Sequence, residues 1–571
     1  MNSENIPRIR ILFIFPCLFG LIIIARLYNL QIINGDKYVN KADSQYIRNS
    51  DNILDRGIIF FEGKDEIRAA GAIMKDGYTL VINTKKIENP DYVYDALSQY
   101  VEINKEEFIT KTKRDDQYEE IKKRLTKEIG ISIQSLKIPG VSVIKDSWRV
   151  YPGGSIASQT IGITGYGNSD TIAGRYGLES YYDDVLGRSK SSQNINFFAE
   201  LFADIKSGII NNENKKGDIV TTIDPAVQSY VEGILKKTKD TWKSDSIGAI
   251  VMNPQNGEVY TMASLPNFDP NNLKEVSDPK VFSNPMVENA YEMGSIIKPL
   301  TVAVGIDTGA ITKNSSYDDT GFMLLNGKRI ANYDGKARGT ISVKEILGQS
   351  LNVGAATVAL KVGNEKFSEY FRSFGIGDKT GIDQPNETIG ITDNLDSNRD
   401  IEHATASYGQ GIAISPITTV RALSIIANGG LLVKPHLVKR IEYTDGSFKD
   451  TETGEYKRVI DESSAKDVTA MLISVVDNSI SKAHPGIKME HYSIAAKTGT
   501  AQIADHVNGG YYSDRYLHSF FGFFPAYDPK VIVFLYQVYP KGAQYASETL
   551  VDPFIDITKF LISYYDIPPD R

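Results

Sequence analysis

The first strong pattern along the chain is a run of 15 residues, 11–25 (ILFIFPCLFGLIIIA), that carries no charge. At about 1.5 Å per helical residue it falls short of a hydrocarbon core roughly 30 Å thick. A span over 9–33 is long enough if Arg10 and Arg26 reach toward the headgroups. No small-x-small cleavage site follows, since 26–31 reads RLYNLQ, so an uncleaved signal anchor is expected. Arg8 and Arg10 stand before the run and Arg26, Lys37 and Lys41 after it, so charge does not orient it. From 34 to 216 short apolar pieces such as 78–82 alternate with charged stretches, and 105–128 predicts a solvated helix face. The polar segment 207–218 (SGIINNENKKGD) predicts a linker, with the domain boundary after Lys216.

Beyond the linker the period changes. Residues 247–252 and 258–263 are β-type runs joined by Asn253-Pro254-Gln255-Asn256-Gly257, a hairpin signature. Strand-type runs return at 492–496, 519–525 and 530–538. Helical patterns at 299–307, 343–349, 354–362 and 418–427 fill the interval, and 553–564 closes the chain. The fold expected is α+β: a five-stranded, mostly antiparallel sheet covered by helices, with a large helical insertion.

Length, charge and composition narrow the chemistry. A chain of 571 residues exceeds what one hydrophobic core supports. A formal net charge of −8 argues against nucleic acid as a partner. The single cysteine, Cys17, excludes an intramolecular disulfide framework and a thiolate-rich metal site. All six histidines lie at or beyond His403, none at helical ligand spacing, and neither a Walker A loop nor a complete Gly-x-Ser-x-Gly elbow occurs.

What remains is serine chemistry. Ser295 follows Gly294 and opens an apolar helical run, and Lys298 lies one turn on, its amine near the hydroxyl. Pro299 fits because first-turn N–H groups have no partner within the helix. A lysine whose pKa is lowered by desolvation can take the serine proton. Ser-x-x-Lys also occurs at Ser277, Ser463 and Ser479, without the preceding glycine and apolar surroundings. Ser350-Leu351-Asn352 stands between two helical patterns, where a loop can aim a hydroxyl and an amide into a cleft. Lys497-Thr498-Gly499-Thr500 continues the strand at 492–496, unlike its copy Lys379-Thr380-Gly381 in a turn-rich stretch. A strand edge bearing a lysine, hydroxyls and N–H groups suits a substrate carboxylate beside a scissile carbonyl.

These three motifs, in this order, resemble those of the penicillin-binding proteins and their serine β-lactamase relatives. The likeness to the class B members extends to Arg149-Val150-Tyr151-Pro152-Gly153, Gly177-Leu178-Glu179, Pro266-Asn267-Phe268-Asp269, Ala406-Ser407-Tyr408-Gly409-Gln410-Gly411 and Ser519-Phe520-Phe521-Gly522-Phe523. Two departures are Met293, where the family usually has proline, and the segment after Arg56-Gly57. The resemblance implies a cytoplasmic tail (1–8), a single-pass anchor (9–33), a pedestal or dimerisation-type domain (34–216) and an extracytoplasmic transpeptidase domain (217–571). It implies a cell-membrane D,D-transpeptidase that cross-links peptidoglycan stem peptides ending in D-Ala-D-Ala through an acyl-enzyme at Ser295. Lys298 would be its base and Ser350 the proton carrier to the leaving amine. Asn352, Lys497, Thr498, Gly499 and Thr500 would bind substrate, and the N–H groups of Ser295 and Thr500 would form the oxyanion hole. No metal or organic cofactor is implied. β-Lactams would trap Ser295, a membrane-embedded glycan polymerase and division proteins would be partners, and Ser350-Leu351-Asn352 favours the septal over the elongation branch. The alternatives are a β-lactam sensor or β-lactamase, and a non-catalytic scaffold of the division machinery.

Overall fold

Residues 531–538 (VIVFLYQV) are apolar at nearly every position, the pattern of a strand buried on both faces. In the computed structural model this strand, Val531–Val538, is the centre of a five-stranded antiparallel sheet. The structure describes Arg26, Tyr28 and residues 55–166, 172–188, 215–452, 456–505 and 507–571. The strand order is Val259–Leu265, Ser246–Met252, Val531–Val538, Tyr511–Phe524 and Ala495–Ala504. Every neighbouring pair is antiparallel. The Lys497–Thr500 motif therefore lies on an edge strand, whose outer backbone groups have no strand partner in this sheet. That strand starts later than the 492–496 run suggests, which puts the motif inside it rather than after it.

Strand period two divides the sheet's covering layers. From Tyr511–Phe524, the side chains of Phe520 and Phe524 meet Phe554 of the C-terminal helix Val551–Tyr564, at ring-centroid distances of 4.6 and 6.5 Å. Gly522 shares that face, and a Cβ on it would come within 2.5 Å of the Phe554 ring. Ser519 points the opposite way, toward Met293 and the helix Lys298–Asp307. The helices Asn352–Val362, Pro416–Ala427 and Glu462–Asn478 pack around that helix. Together they are the insertion that the sequence places between the second and third strands.

The chain folds as two compact units, and their division differs from a cut after Lys216. Residues 56–74 and 149–188 fold with 211–571. The reason is visible in the pairing: Ile59–Glu62 runs parallel to Gly217–Thr221, which pairs antiparallel with Val438–Tyr443. Arg56 adds a buried ionic knot. Its Nε donates to Glu179 at 2.5 Å, where Arg149 Nε also donates at 2.7 Å, and its Nη1 donates to Asp183 at 2.7 Å.

The other unit includes residues 75–148. Here 105–128 is not one helix. Lys105–Thr112 is a helix capped by Asn104, and Glu119–Leu125 is a strand paired with the end of Arg68–Ile82. The strand's outward lysines hide its alternation, while Phe108 and Leu125 are buried. The anchor expected over 9–33 lies outside the described residues apart from Arg26 and Tyr28. No helix among the described residues is long and apolar enough to cross a membrane.

Glu179 is fully buried between two arginines; its loss strips Arg149 of its carboxylate partner and leaves Arg56 with Asp183 alone. Glu179→Ala is expected to destabilise the unit that contains residues 149–188 by about 3–5 kcal/mol in denaturant unfolding. A loss under 1 kcal/mol would show that the knot is not structural.

Candidate active site

The turn that presents Ser295 is held at three backbone points. Gly294 has φ +64°, and a Cβ on it would sit 2.8 Å from the Thr500 carbonyl oxygen. Only glycine meets both the left-handed conformation and the close approach. Its N–H donates to Gly409 O at 3.0 Å. The preceding carbonyl, Met293 O, accepts from Ser519 Oγ at 2.7 Å. Met293 itself is buried with φ −82°, within reach of what proline would impose, so these contacts hold the turn without a proline.

Ser295 lies in a tight 3-10 turn, Gly294–Ile297, just ahead of the helix Lys298–Asp307 rather than in its first turn. In a turn with three residues per revolution, side chains three apart eclipse one another. Lys298 Nζ accordingly lies 3.0 Å from Ser295 Oγ. The amine is 0% exposed and donates to Ser350 O at 2.6 Å, with Ser350 Oγ at 3.2 Å.

Ser350 stands between the helices Lys344–Gly348 and Asn352–Val362 at φ +56°. A non-glycine residue there costs about 1–2 kcal/mol, and such strain gathers at functional sites. The conformation turns both its hydroxyl and its carbonyl toward Lys298. From the edge strand, Lys497 Nζ donates to Ser350 Oγ at 3.1 Å and to Thr498 O at 2.8 Å. All three motifs thus converge on one hydroxyl.

Burial sets the electrostatics. Desolvation pushes Lys298 well below its ordinary 10.5, and the charge of Lys497 pushes it further the same way. Desolvation alone lowers Lys497 to about 7. A neutral Lys298 amine has N–H to donate to Ser350 O and a lone pair left for the Ser295 proton. Among the described residues no carboxylate hydrogen-bonds to Ser295, Lys298 or Ser350.

The remaining predicted residues line the two walls. Asn352 Nδ2 donates to Ala331 O at 2.9 Å. Thr500 Oγ1 accepts from Ala546 N at 3.0 Å and keeps its own O–H to give. Gly499 lies where the nucleophile turn meets the edge strand. A Cβ there would lie 2.3 Å from Ser519 Oγ and 2.8 Å from Met293 O, so the glycine lets the nucleophile turn pack on the strand. Ser295 N, in the first turn, has no partner within its turn. The decoys are elsewhere: Thr380 is folded onto Glu387, Ser463 is in the first turn of Glu462–Asn478, and Ser479 ends that helix.

Motif reading missed the supports. Ser519 and Gly409, which fix the turn, were visible only inside family-like stretches. Asn332 was not visible at all. Its Oδ1 accepts from Val353 N at 3.1 Å and its Nδ2 donates to Asp319, bracing the helix that begins at Asn352.

With this geometry established, comparison places the chain among known proteins. Residues 247–556 match the penicillin binding protein transpeptidase domain, and 72–222 match the penicillin-binding protein dimerisation domain. The chain is 31% identical to stage V sporulation protein D of Bacillus subtilis, over 97% of this chain and 85% of that one. It is 28% identical to the peptidoglycan D,D-transpeptidase FtsI of Buchnera aphidicola subsp. Schizaphis graminum, over 97% and 94%. Among solved structures it resembles penicillin-binding protein 2X of Streptococcus thermophilus, with a TM-score of 0.73, 20% identity and coverage of 90% and 81%. It also resembles a Mycobacterium tuberculosis penicillin-binding protein 3 complexed with aztreonam, with a TM-score of 0.68, 21% identity and coverage of 91% and 98%.

The lysine pair generates a pH signature. Acylation by a fluorescent penicillin should speed up as pH rises through the depressed Lys298 value and slow as Lys497 loses its proton. Because Lys497 helps to lower Lys298, Lys497→Met should move the rising limb to higher pH. A limb that stays put or moves down would contradict the charge coupling.

Proposed function

The chain belongs to the penicillin-binding proteins that carry a dimerisation domain ahead of a transpeptidase domain, and from that membership we propose how its residues perform the serine D,D-transpeptidase reaction. The observation that carries the proposal is the meeting of Lys298 and Lys497 at the Ser350 hydroxyl, with Ser295 Oγ on Lys298.

Ser295 Oγ attacks the penultimate D-alanine carbonyl of a stem peptide while the neutral Lys298 amine takes its proton. The N–H groups of Ser295 and Thr500 hold the developing oxyanion. Collapse of that intermediate breaks the amide bond. Lys298 returns the proton through Ser350 Oγ to the departing D-alanine amine, with the charge of Lys497 stabilising the passage. Thr498 and Thr500 take the terminal carboxylate, and the Asn352 side chain takes a substrate amide. An amine from a neighbouring stem then attacks the acyl-enzyme, and the same relay removes its proton. A β-lactam enters as the donor does and leaves Ser295 acylated. Among the described residues no carboxylate hydrogen-bonds to Ser295 or Lys298, where a base for deacylating water would stand, and this favours a transpeptidase over a β-lactamase.

The proposal extends to placement. The apolar run at 11–25 supports a single-pass anchor, and a peptidoglycan substrate outside the membrane supports the N-terminus inside and the transpeptidase domain outside. The Ser-Leu-Asn form of the second motif supports a septal role over an elongation role, with a membrane-embedded glycan polymerase and division proteins as partners.

A fluorescent penicillin should label the full chain covalently, with an adduct that lasts for hours, and Ser295→Ala should abolish the label. Undiminished labelling of that variant would remove Ser295 from the chemistry, and an adduct lost within seconds would favour a β-lactamase.

A further inference from the structure

Glu292, three residues before the nucleophile, is a half-buried carboxyl without a cation among the described residues. Its Oε1 accepts from Gly411 N at 2.9 Å and from the Tyr511 hydroxyl at 2.9 Å. Its Oε2 is buried and has no partner among the described residues. Burial raises its pKa, and the two hydrogen bonds only partly offset that. The groups around it are Tyr511 and Tyr408, neither of them positively charged. An apolar side chain would fill this place without stranding an oxygen, so packing alone does not account for an acid here.

What the acid does is join segments. The lead-in to Ser295 is already laced to the 409–414 segment: Tyr291 and Ile414 exchange backbone hydrogen bonds at 3.0 Å each, and Gly294 N donates to Gly409 O at 3.0 Å. Glu292 reaches in the other direction. Tyr511 begins the strand Tyr511–Phe524 and pairs with Ala504, at the outer end of the strand bearing Lys497–Thr500. The inner part of this hairpin is tied to the lead-in by Ser519 Oγ on Met293 O. The ladder between the two ties is irregular, with a register shift between Gln502 and Ala504. Thr500 lies between the ties along the strand, and its N–H must keep a fixed distance from the Ser295 N–H for both to reach one oxyanion.

We propose that the Glu292–Tyr511 hydrogen bond is a latch holding the outer half of this hairpin against the nucleophile turn, which makes Glu292 a positioning residue for acylation. The proposal rests on the Ser295 reading above. Released from the latch, the outer hairpin can swing away from the lead-in and widen the gap between the two N–H groups. Binding of the donor, which uses Asn352, Thr498 and Thr500, would change little, whereas the chemical step would slow.

The test separates the noncovalent dissociation constant for a fluorescent penicillin from the acylation rate constant, using the concentration dependence of labelling by the full chain. Tyr511→Phe and Glu292→Ala should each slow acylation about tenfold, the expected effect of losing one positioning hydrogen bond. The dissociation constant and melting temperature should stay near the parent's. The double variant should be no slower than the slower single one, because both remove the same bond. Glu292→Gln should acylate within about threefold of the parent, because its amide oxygen accepts both hydrogen bonds. Parent-like acylation by Tyr511→Phe, multiplying effects in the double variant, or a Gln variant as slow as the Ala variant would each overturn the latch. Should Glu292→Ala fail to fold, Tyr511→Phe and Glu292→Gln still decide. A parent chain that takes no label at all would instead remove the Ser295 reading beneath it.

Discussion

One hydroxyl, that of Ser350, sits between two buried lysine amines, and the rest of the site follows from that arrangement. Two ammonium groups cannot share one desolvated oxygen at low cost, because desolvation and mutual repulsion act in the same direction. The conflict falls harder on Lys298, beside the nucleophile, which burial and the charge of Lys497 both push toward the neutral form, while burial alone lowers Lys497 to about 7. The asymmetry is chemical polarity: a base on one side of Ser350 and an electrostatic aid on the other. It also opposes stability. Both folded values lie below the ordinary 10.5, so the unfolded chain binds protons that the folded chain does not. Stability is therefore reduced at neutral pH and recovers as pH rises toward 10.5. The surrounding core, with Val302, Leu347, Ala356 and Phe520 fully buried, offsets that cost.

Bringing three distant stretches to one oxygen is a packing problem, and glycine solves it twice. Gly294 and Gly499 face each other across the gap between the nucleophile turn and the edge strand. The carbonyls of Met293 and Thr500 stand where Cβ atoms would otherwise be. The lysine of the third motif shares its strand face with Gly499, so the close approach that glycine allows is also what brings Lys497 to Ser350. On the opposite face, Gly522 allows the same kind of approach by Phe554, seating the C-terminal helix against the sheet. An edge position for the strand then leaves a substrate free to lie along it.

Much of this was legible in the sequence. The five strands followed from alternation and continuous apolar runs, and Ser295 was separable from three other Ser-x-x-Lys occurrences by its glycine and apolar surroundings. The strand at 495–504 was placed early because Thr498, Thr500 and Gln502 break its apolar pattern, as residues serving a site do. The strand at 119–125 was hidden because seven of the ten residues from Lys111 to Glu120 are charged and its own exposed positions are Lys122, Lys123 and Arg124. The supports of the site were illegible for a more general reason. Ser519, Gly409, Asn332 and Glu292 all have partners far away in sequence, and no local period marks such contacts. The division of the chain eluded a reading by linker composition, because the pairing of Ile59–Glu62 with Gly217–Thr221 is tertiary.

Family membership supplies the reaction, and the geometry supplies a claim about protonation: Lys298 is neutral when Ser295 attacks. The most direct measurement follows the 13Cε resonance of Lys298 through a pH titration of uniformly 13C-lysine-labelled protein, assigned by its disappearance in Lys298→Met. The account predicts a midpoint well below 10.5, with the amine uncharged at the pH where acylation is fastest. A midpoint near 10.5 would mean a fully protonated Lys298 at that pH, and the proton of Ser295 would have to go elsewhere.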